Sequence, residues 1–213
     1  MVYRITTFLA LLAFALVLSG CSALFSEQEW SENYALTEGV HATSPQMIDG
    51  KLNTIGETTH PAGSEGFVGA NPASQVIVTL PEKKTIRKIV IHSDNITQFD
   101  VFADKGSIAV DADWQLIKHV KSVKTNPIEV SLLVPFPTDR IRVRVLGTKD
   151  DALMNRQQRA RSGGYRGWNQ GSRRGPGKIR EIELYGYKTA EQVEEQAASE
   201  KREKELDDLL DLE

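Results

Sequence analysis

The chain has 213 residues, 26 lysines and arginines against 29 aspartates and glutamates, and a formal net charge of −3. That length suffices for one domain with a sizeable core plus flanking segments. A single cysteine, Cys21, excludes an internal disulfide framework, and the charge gives no overall bias toward nucleic acid.

Arg4 supplies a positive start, and Phe8 to Leu18, "FLALLAFALVL", is an uninterrupted apolar run. A spanning helix needs about 20 such residues, so this run is too short to cross a bilayer but suits a secretory signal. It ends in "LSGC", Leu18 to Cys21. This resembles the bacterial lipoprotein signal, which is cut just before a cysteine that then takes a diacylglyceryl group. The alternative is an ordinary export signal with an incidental cysteine. On the lipoprotein reading, residues 1–20 are removed, Cys21 is lipidated, and residues 21–32 form a tether. Two or more acyl chains hold a protein at a membrane where one does not. Ser22, where inner-membrane lipoproteins of this kind tend to carry Asp, favours the outer membrane. The expected location is the bacterial cell envelope.

From Asn33 to Tyr187 the pattern is mostly β. Segments Ser74–Leu80, Thr85–Ser93, Thr97–Ala103, Asp113–Val120, Pro127–Val134, Asp139–Gly147 and Lys178–Gly186 are rich in β-branched and aromatic residues and separated by turn residues. "DRIRVRVLG" alternates strictly, with Ile141, Val143 and Val145 on one face and Arg140, Arg142 and Arg144 on the other. That is a strand with one face buried. Strands at this spacing, with no helical pattern between them, predict an all-β antiparallel jelly-roll sandwich over residues 33–187.

Between the last two strands runs a basic segment, residues 152–177, containing "RSGGYRGWNQGSRRGPG". From Ala152 to Arg180 the chain carries eight arginines and lysines and no acidic residue. Arginine planes beside aromatic faces suit sugars, phosphates and bases. Export removes cytoplasmic RNA as a partner, so nucleic acid is not expected. Tyr165, Trp168, Arg166 and Arg161 are the candidate ligand-binding residues. The bland alternative is a solvated loop kept soluble by its charge. Residues 188–213 form an acidic tail with ten acidic and four basic residues and no Gly or Pro, read as a helical or disordered extension.

The order "NYALTEGVHATSP", "MIDGKLNT", "SQVIVTLPEKKTIRKIVIHS", "FDVFADKG", "DWQLI", "DRIRVRV", "IREIELYG" resembles the discoidin family, also called coagulation-factor C-type domains, across Asn33 to Gly186. Carbohydrate-binding modules of the galactose-binding-like fold share this plan. Two departures stand out. Ile55 and Gly56 occupy the region where the family has a tryptophan, and Thr79-Leu80-Pro81 replaces its "DLG". The resemblance implies a non-catalytic domain that binds glycans or other ligands through loops at one rim. It also implies, for several members, a structural calcium held by Asp49, the Lys51 carbonyl, Thr54 and Glu181. Read from the residues alone, Asp49-Gly50 is a tight turn that needs no metal, so both readings stand.

No catalytic constellation emerges: the four histidines, His41, His60, His92 and His119, fall at no metal-ligand spacing, and nucleophile and phosphate-loop motifs are absent. The expected function is therefore binding of carbohydrate or another anionic envelope ligand by a membrane-anchored lipoprotein. The alternative is a structural or assembly protein that binds another envelope protein, with the acidic tail as docking segment.

Overall fold

A computed structural model describes residues 28–61, 73–106, 112–161 and 174–210. It divides into two units, Ser31–Tyr187 and a second one combining the terminal segments. Within Ser31–Tyr187 all strand pairings are antiparallel and the architecture is an all-β sandwich. A short 3-10 turn at Tyr34–Leu36 leads to β1 (His41–Ala42). A second turn, Pro45–Met47, precedes β2 (Gly56–Glu57). Then come β3 (Ser74–Ser93), β4 (Ile96–Asp104), β5 (Trp114–Val120), β6 (Ile128–Thr148), α1 (Asp151–Arg161) and β7 (Lys178–Tyr185). In the second unit, α2 covers Ala190–Leu210.

The strand order is β2-β7-β3-β6-β4-β5, with β1 paired to β3. Two very long strands organise it. The first half of β3 pairs with the second half of β6, from Ser74 opposite Val145 to Thr79 opposite Arg140. Its second half pairs with the first half of β6 on one side and with β7 on the other. The sequence predicts two strands in each of these stretches, because "LPEKK" and "LVPFPT" interrupt the alternation. The chain instead runs on through register shifts between Thr79 and Lys84 and between Ile86 and Lys88. Pro81 and Pro135 fall inside those shifts, where no ladder bond is required from the missing N–H.

Alternation then builds the core. Val76, Val78 and Leu80 of β3, Phe99 and Val101 of β4, and Ile141, Val143 and Val145 of β6 all point inward. They form one cluster with Ile89, Ile91, Ile128, Val130, Ile179, Ile182 and Leu184 from the other half. Both halves of the long strands thus bury against a common interior, which fixes the register. Met47, fully buried, plugs the side where the 3-10 turn crosses.

α1 corrects the expectation of an unbroken loop after β6. "DALMNRQQRAR" has no Gly or Pro and is made largely of good helix formers. Asp151 starts it: its carboxylate accepts from the Thr148 amide at 3.0 Å and from the Thr148 hydroxyl at 2.7 Å. An acidic side chain there also suits the positive end of the helix.

Candidate functional site

Three places in the fold gather polar and charged side chains: the Asp49–Thr54 turn, the base of the basic segment, and the outer face of β6-β4-β5.

In the turn, Gly50 has φ of 73°, the left-handed region that favours glycine. Asp49 Oδ1 accepts from the Lys51 amide at 2.9 Å and from the Thr54 hydroxyl at 3.0 Å. The same hydroxyl lies 2.9 Å from the Lys51 carbonyl and 3.4 Å from the Gln46 carbonyl. One hydroxyl proton can serve only one of those three oxygens. Glu181 of β7 reaches the same turn, accepting from the Gly50 amide through Oε1 at 3.3 Å. It is 3 % exposed, and its Oε2 is buried with no hydrogen-bond partner. Burial, then repulsion from Asp49 and Glu183, pushes its carboxyl up to about 7. The fold therefore gathers Asp49, Lys51, Thr54 and Glu181 around an oxygen-rich spot with an orphaned carboxylate oxygen. Hard oxygens of this mix are what calcium takes. Only two carboxylates contribute, and among the described residues no cluster of three or more His, Cys, Asp or Glu side chains could hold a metal. Arg180 locks the turn from outside, donating to the Leu52 carbonyl at 2.9 Å while gripping Asp94 at 2.7 and 2.9 Å.

The basic segment is clamped at its base. The Asp151 carboxylate also accepts from the Gly175 amide at 2.7 Å. Asn95, 4 % exposed, donates to Asp150 at 2.9 Å and to the Pro176 carbonyl at 3.0 Å, and accepts from the Lys178 amide at 2.7 Å. Its glycosylation-like "NIT" context is thus incidental, since both ends of the side chain are used internally. Tyr165, Arg166 and Trp168 lie outside the described residues, as does Cys21, and Arg161 is the last residue of α1.

The sheet face was missed in the sequence. Asp100 of β4 faces Arg144 of β6, and Phe102 faces Arg142. Arg144 donates to Asp100 Oδ2 at 2.7 Å, and His119 of β5 bonds the other oxygen of the same carboxylate. Arg140 pairs with Asp104. Burial raises both carboxyls, but their bonds outweigh it. His119 and Arg144 hold Asp100 below its ordinary value, and the amides of Gly106 and Asp113 together with Arg140 do so for Asp104. The middle arginine is different. Arg142 lies between two rings, 4.4 Å from the centre of Phe102 and 4.5 Å from that of Trp114. No carboxylate pairs with it among the described residues, and its Nε, like that of Arg144, is buried without a hydrogen-bond partner. Burial and the neighbouring Arg144 push its guanidinium down from the usual arginine value, yet an arginine remains a cation at neutral pH. Beside it opens a cavity of about 400 Å³ lined by Pro61, Ala73, Gln75, Arg142, Arg144, Leu146 and Arg174. Arg174 stands at the foot of the basic segment, so the two basic features adjoin.

A signal for this face exists in the sequence. "DVFAD" on β4 places Asp100, Phe102 and Asp104 outward, against the outward arginines of "RIRVR" on β6. Three like charges on one strand face repel unless neutralised from the next strand. The register supplies acids for the outer two and a phenylalanine for the central one.

No family model and no curated sequence matches the chain. Among solved structures it is similar to a chitosan-binding module from a chitosanase/glucanase of Paenibacillus sp. IK-5, with TM-score 0.49, 13 % identity, and 73 % of this chain and 100 % of that one covered. The second module of that enzyme, solved with chitotriose, gives TM-score 0.48 and 11 % identity over 72 % and 100 %. The family 32 carbohydrate-binding module of C. perfringens NanJ, solved with galactose, gives TM-score 0.47 and 16 % identity over 74 % and 99 %. All three are carbohydrate-binding modules.

Proposed function

We propose that this protein is a lipid-anchored, non-catalytic module of the bacterial cell envelope that binds carbohydrate bearing anionic groups. The observation that carries this reading is Arg142: a half-buried cation, stacked on Phe102 and Trp114, with no counter-ion among the described residues, at the wall of a cavity that also presents Gln75, Arg144 and Arg174. A uronate, phosphate or sulfate group supplies the missing charge, and the two rings hold the guanidinium in place beside the cavity. Lipidation of Cys21, by the resemblance of "LSGC" to a lipoprotein signal, holds the domain at the outer membrane. Tyr165, Arg166 and Trp168 of the basic segment have the side-chain chemistry to add ligand contacts.

A glycan array probed with the mature chain tests this. Acidic glycans should bind in preference to their neutral counterparts. A hydrogen bond to a charged group contributes about 1.5–3 kcal/mol, so Arg142→Gln should weaken binding about 10- to 100-fold. Equal binding of neutral and acidic sugars, or an unaffected Arg142→Gln variant, contradicts the reading. One observation favours the alternative of an assembly protein: α2 is a 21-residue helix exposed along residues 190–205, a segment suited to docking on a partner protein. A blank array with a partner crosslinked to α2 supports that alternative.

We further propose that Asp49, the carbonyls of Gln46 and Lys51, Thr54 and Glu181 hold a structural calcium. The orphaned Glu181 Oε2 motivates this, and calorimetric titration with calcium tests it. The ion would neutralise Glu181 and fix the turn.

A further inference from the structure

Arg144 lines the cavity beside Arg142, but a carboxylate cancels its charge. Asp100, opposite it on β4, accepts from Arg144 Nη2 through Oδ2 at 2.7 Å. The other oxygen of Asp100, Oδ1, meets Nδ1 of His119, opposite it on β5. Histidine, acid and arginine thus form one row across three strands, with the acid in the middle. The Asp100 side chain is 5 % exposed, whereas those of His119 and Arg144 are 35 % and 41 % exposed. Both flanking groups reach solvent while the acid between them does not.

A carboxylate oxygen only accepts, so Nδ1 of His119 carries a proton, and Nε2 takes up or releases the second one. Histidine is the side chain whose charge ordinarily changes between about pH 5 and 8. Burial raises the Asp100 carboxyl, but its bonds to His119 and Arg144 outweigh that and hold it below its ordinary value, so Asp100 stays an anion across this range. With His119 neutral, the row carries one negative and one positive charge. With His119 protonated, it carries a net positive charge. The other charged groups around the row are few. Lys118 and Lys121 flank His119 on its own stretch of chain. Among the described residues β5 ends the strand order, so no strand lies on its far side. Four residues along β4, Asp104 pairs with Arg140. His60 precedes Pro61 of the cavity wall.

We propose that His119 sets how much positive charge the cavity offers, so that the domain holds its acidic sugar more tightly as pH falls from about 8 to about 5.5. This rests on the acidic-sugar reading of the cavity. While His119 is neutral, Asp100 cancels Arg144, and the ligand meets the charges of Arg142 and Arg174. Once protonated, His119 becomes a second counter-ion of Asp100, and the charge of Arg144 is released toward the cavity. The backbone need not move, because each carboxylate oxygen already faces its own partner. A uronate keeps its charge throughout, since ordinary carboxylates titrate near about 4, so the change falls on the protein. His119 is a positioning residue, acting on the sugar through Asp100 and Arg144. β5 and β6 flank β4, which puts the His119 and Arg144 backbones two strand spacings, about 10 Å, apart. One charge at that distance from a half-exposed site changes affinity about 3- to 10-fold at low salt. Coupling is reciprocal, so binding of the sugar draws a proton onto His119.

Calorimetric titration of the mature chain with an oligogalacturonate at low salt, at about pH 5.5 and about pH 8, tests this. The wild type should bind about 3- to 10-fold more tightly in acid. Near about pH 6.5 it should also take up protons on binding, read from the heat in two buffers of different ionisation enthalpy. His119→Gln keeps an N–H for Asp100 but cannot charge. It should bind at both pH values as the wild type does in alkali, with no proton uptake. Asp100→Asn no longer cancels Arg144 and should bind in alkali about as tightly as the wild type does in acid. Glu181 also changes charge near about 7, but every chain carries it and it cancels in these differences. A pH dependence that persists in His119→Gln, or one that vanishes in His60→Gln, overturns the proposal and leaves the acidic-sugar reading standing. So does an Asp100→Asn chain that melts like the wild type yet gains no affinity in alkali. A wild type that binds at neither pH overturns that reading, and the proposal with it.

Discussion

Glu181 makes the sharpest pH prediction. Its carboxyl stands at about 7 in the fold against an ordinary 4.5, because burial and the charges of Asp49 and Glu183 disfavour ionisation. The folded protein therefore holds this proton more tightly than the unfolded chain. Stability contributed by the neutral group is complete below pH 4.5 and is lost as pH rises through 7. The gap of about 2.5 units, at 1.36 kcal/mol each, amounts to about 3 kcal/mol. Glu181→Gln cannot ionise, and its amide oxygen still accepts from the Gly50 N–H. In chelator, urea melts at pH 5 and pH 8 should show the wild type losing up to about 3 kcal/mol relative to the variant. Asp100 and Asp104 are lowered rather than raised, so their stability is lost only in acid, and they cancel in the difference. Millimolar calcium should then restore the wild type at pH 8 by ligand linkage and leave Glu181→Gln unchanged. Parallel pH profiles for the two proteins would refute the reasoning.

Asn95→Ala removes the clamp under the basic segment and leaves the buried Lys178 amide without its acceptor. A loss of about 2 kcal/mol is expected in urea melts, with faster proteolysis within residues 149–177. Gly186→Ala forces a Cβ to 2.5 Å from the Thr85 carbonyl, and a strained contact of this kind should lower stability by about 1–3 kcal/mol. Phe102→Ala strips one ring from Arg142 and should weaken acidic-glycan binding while leaving the Asp100–Arg144 pair intact, visible as a loss in calorimetric titration without a collapse of the melting temperature.

The fold was legible in the sequence because alternation is a local property. Ile141, Val143 and Val145 point inward as their spacing requires, and the all-β antiparallel sandwich follows from several such segments. Strand continuity was less legible. Proline reads as a break, yet Pro81 and Pro135 lie in register shifts where the ladder asks nothing of them. α1 was hidden by the glycines downstream of it, although its own eleven residues are helix formers. The turn at Asp49 could be read in advance as a tight turn, whereas the contact with Glu181 joins residues 131 positions apart and only the resemblance suggested it. The arginine face was overlooked because one strand does not show what faces it. The opposition of Asp100, Phe102 and Asp104 to Arg144, Arg142 and Arg140 is a matter of register, and register belongs to the pair.

The central claim is that Arg142 is a cation waiting for an anionic sugar. Its Nε–H, and that of Arg144, can be followed by nuclear magnetic resonance in the isotope-labelled mature chain while an oligogalacturonate is titrated in. The account predicts saturable shifts of the Arg142 and Arg144 Nε–H signals and of the Gln75 amide, with none when a neutral oligogalactose replaces the acid. Shifts confined to residues 162–173, or no shift at Arg142 at saturating acid, would contradict it.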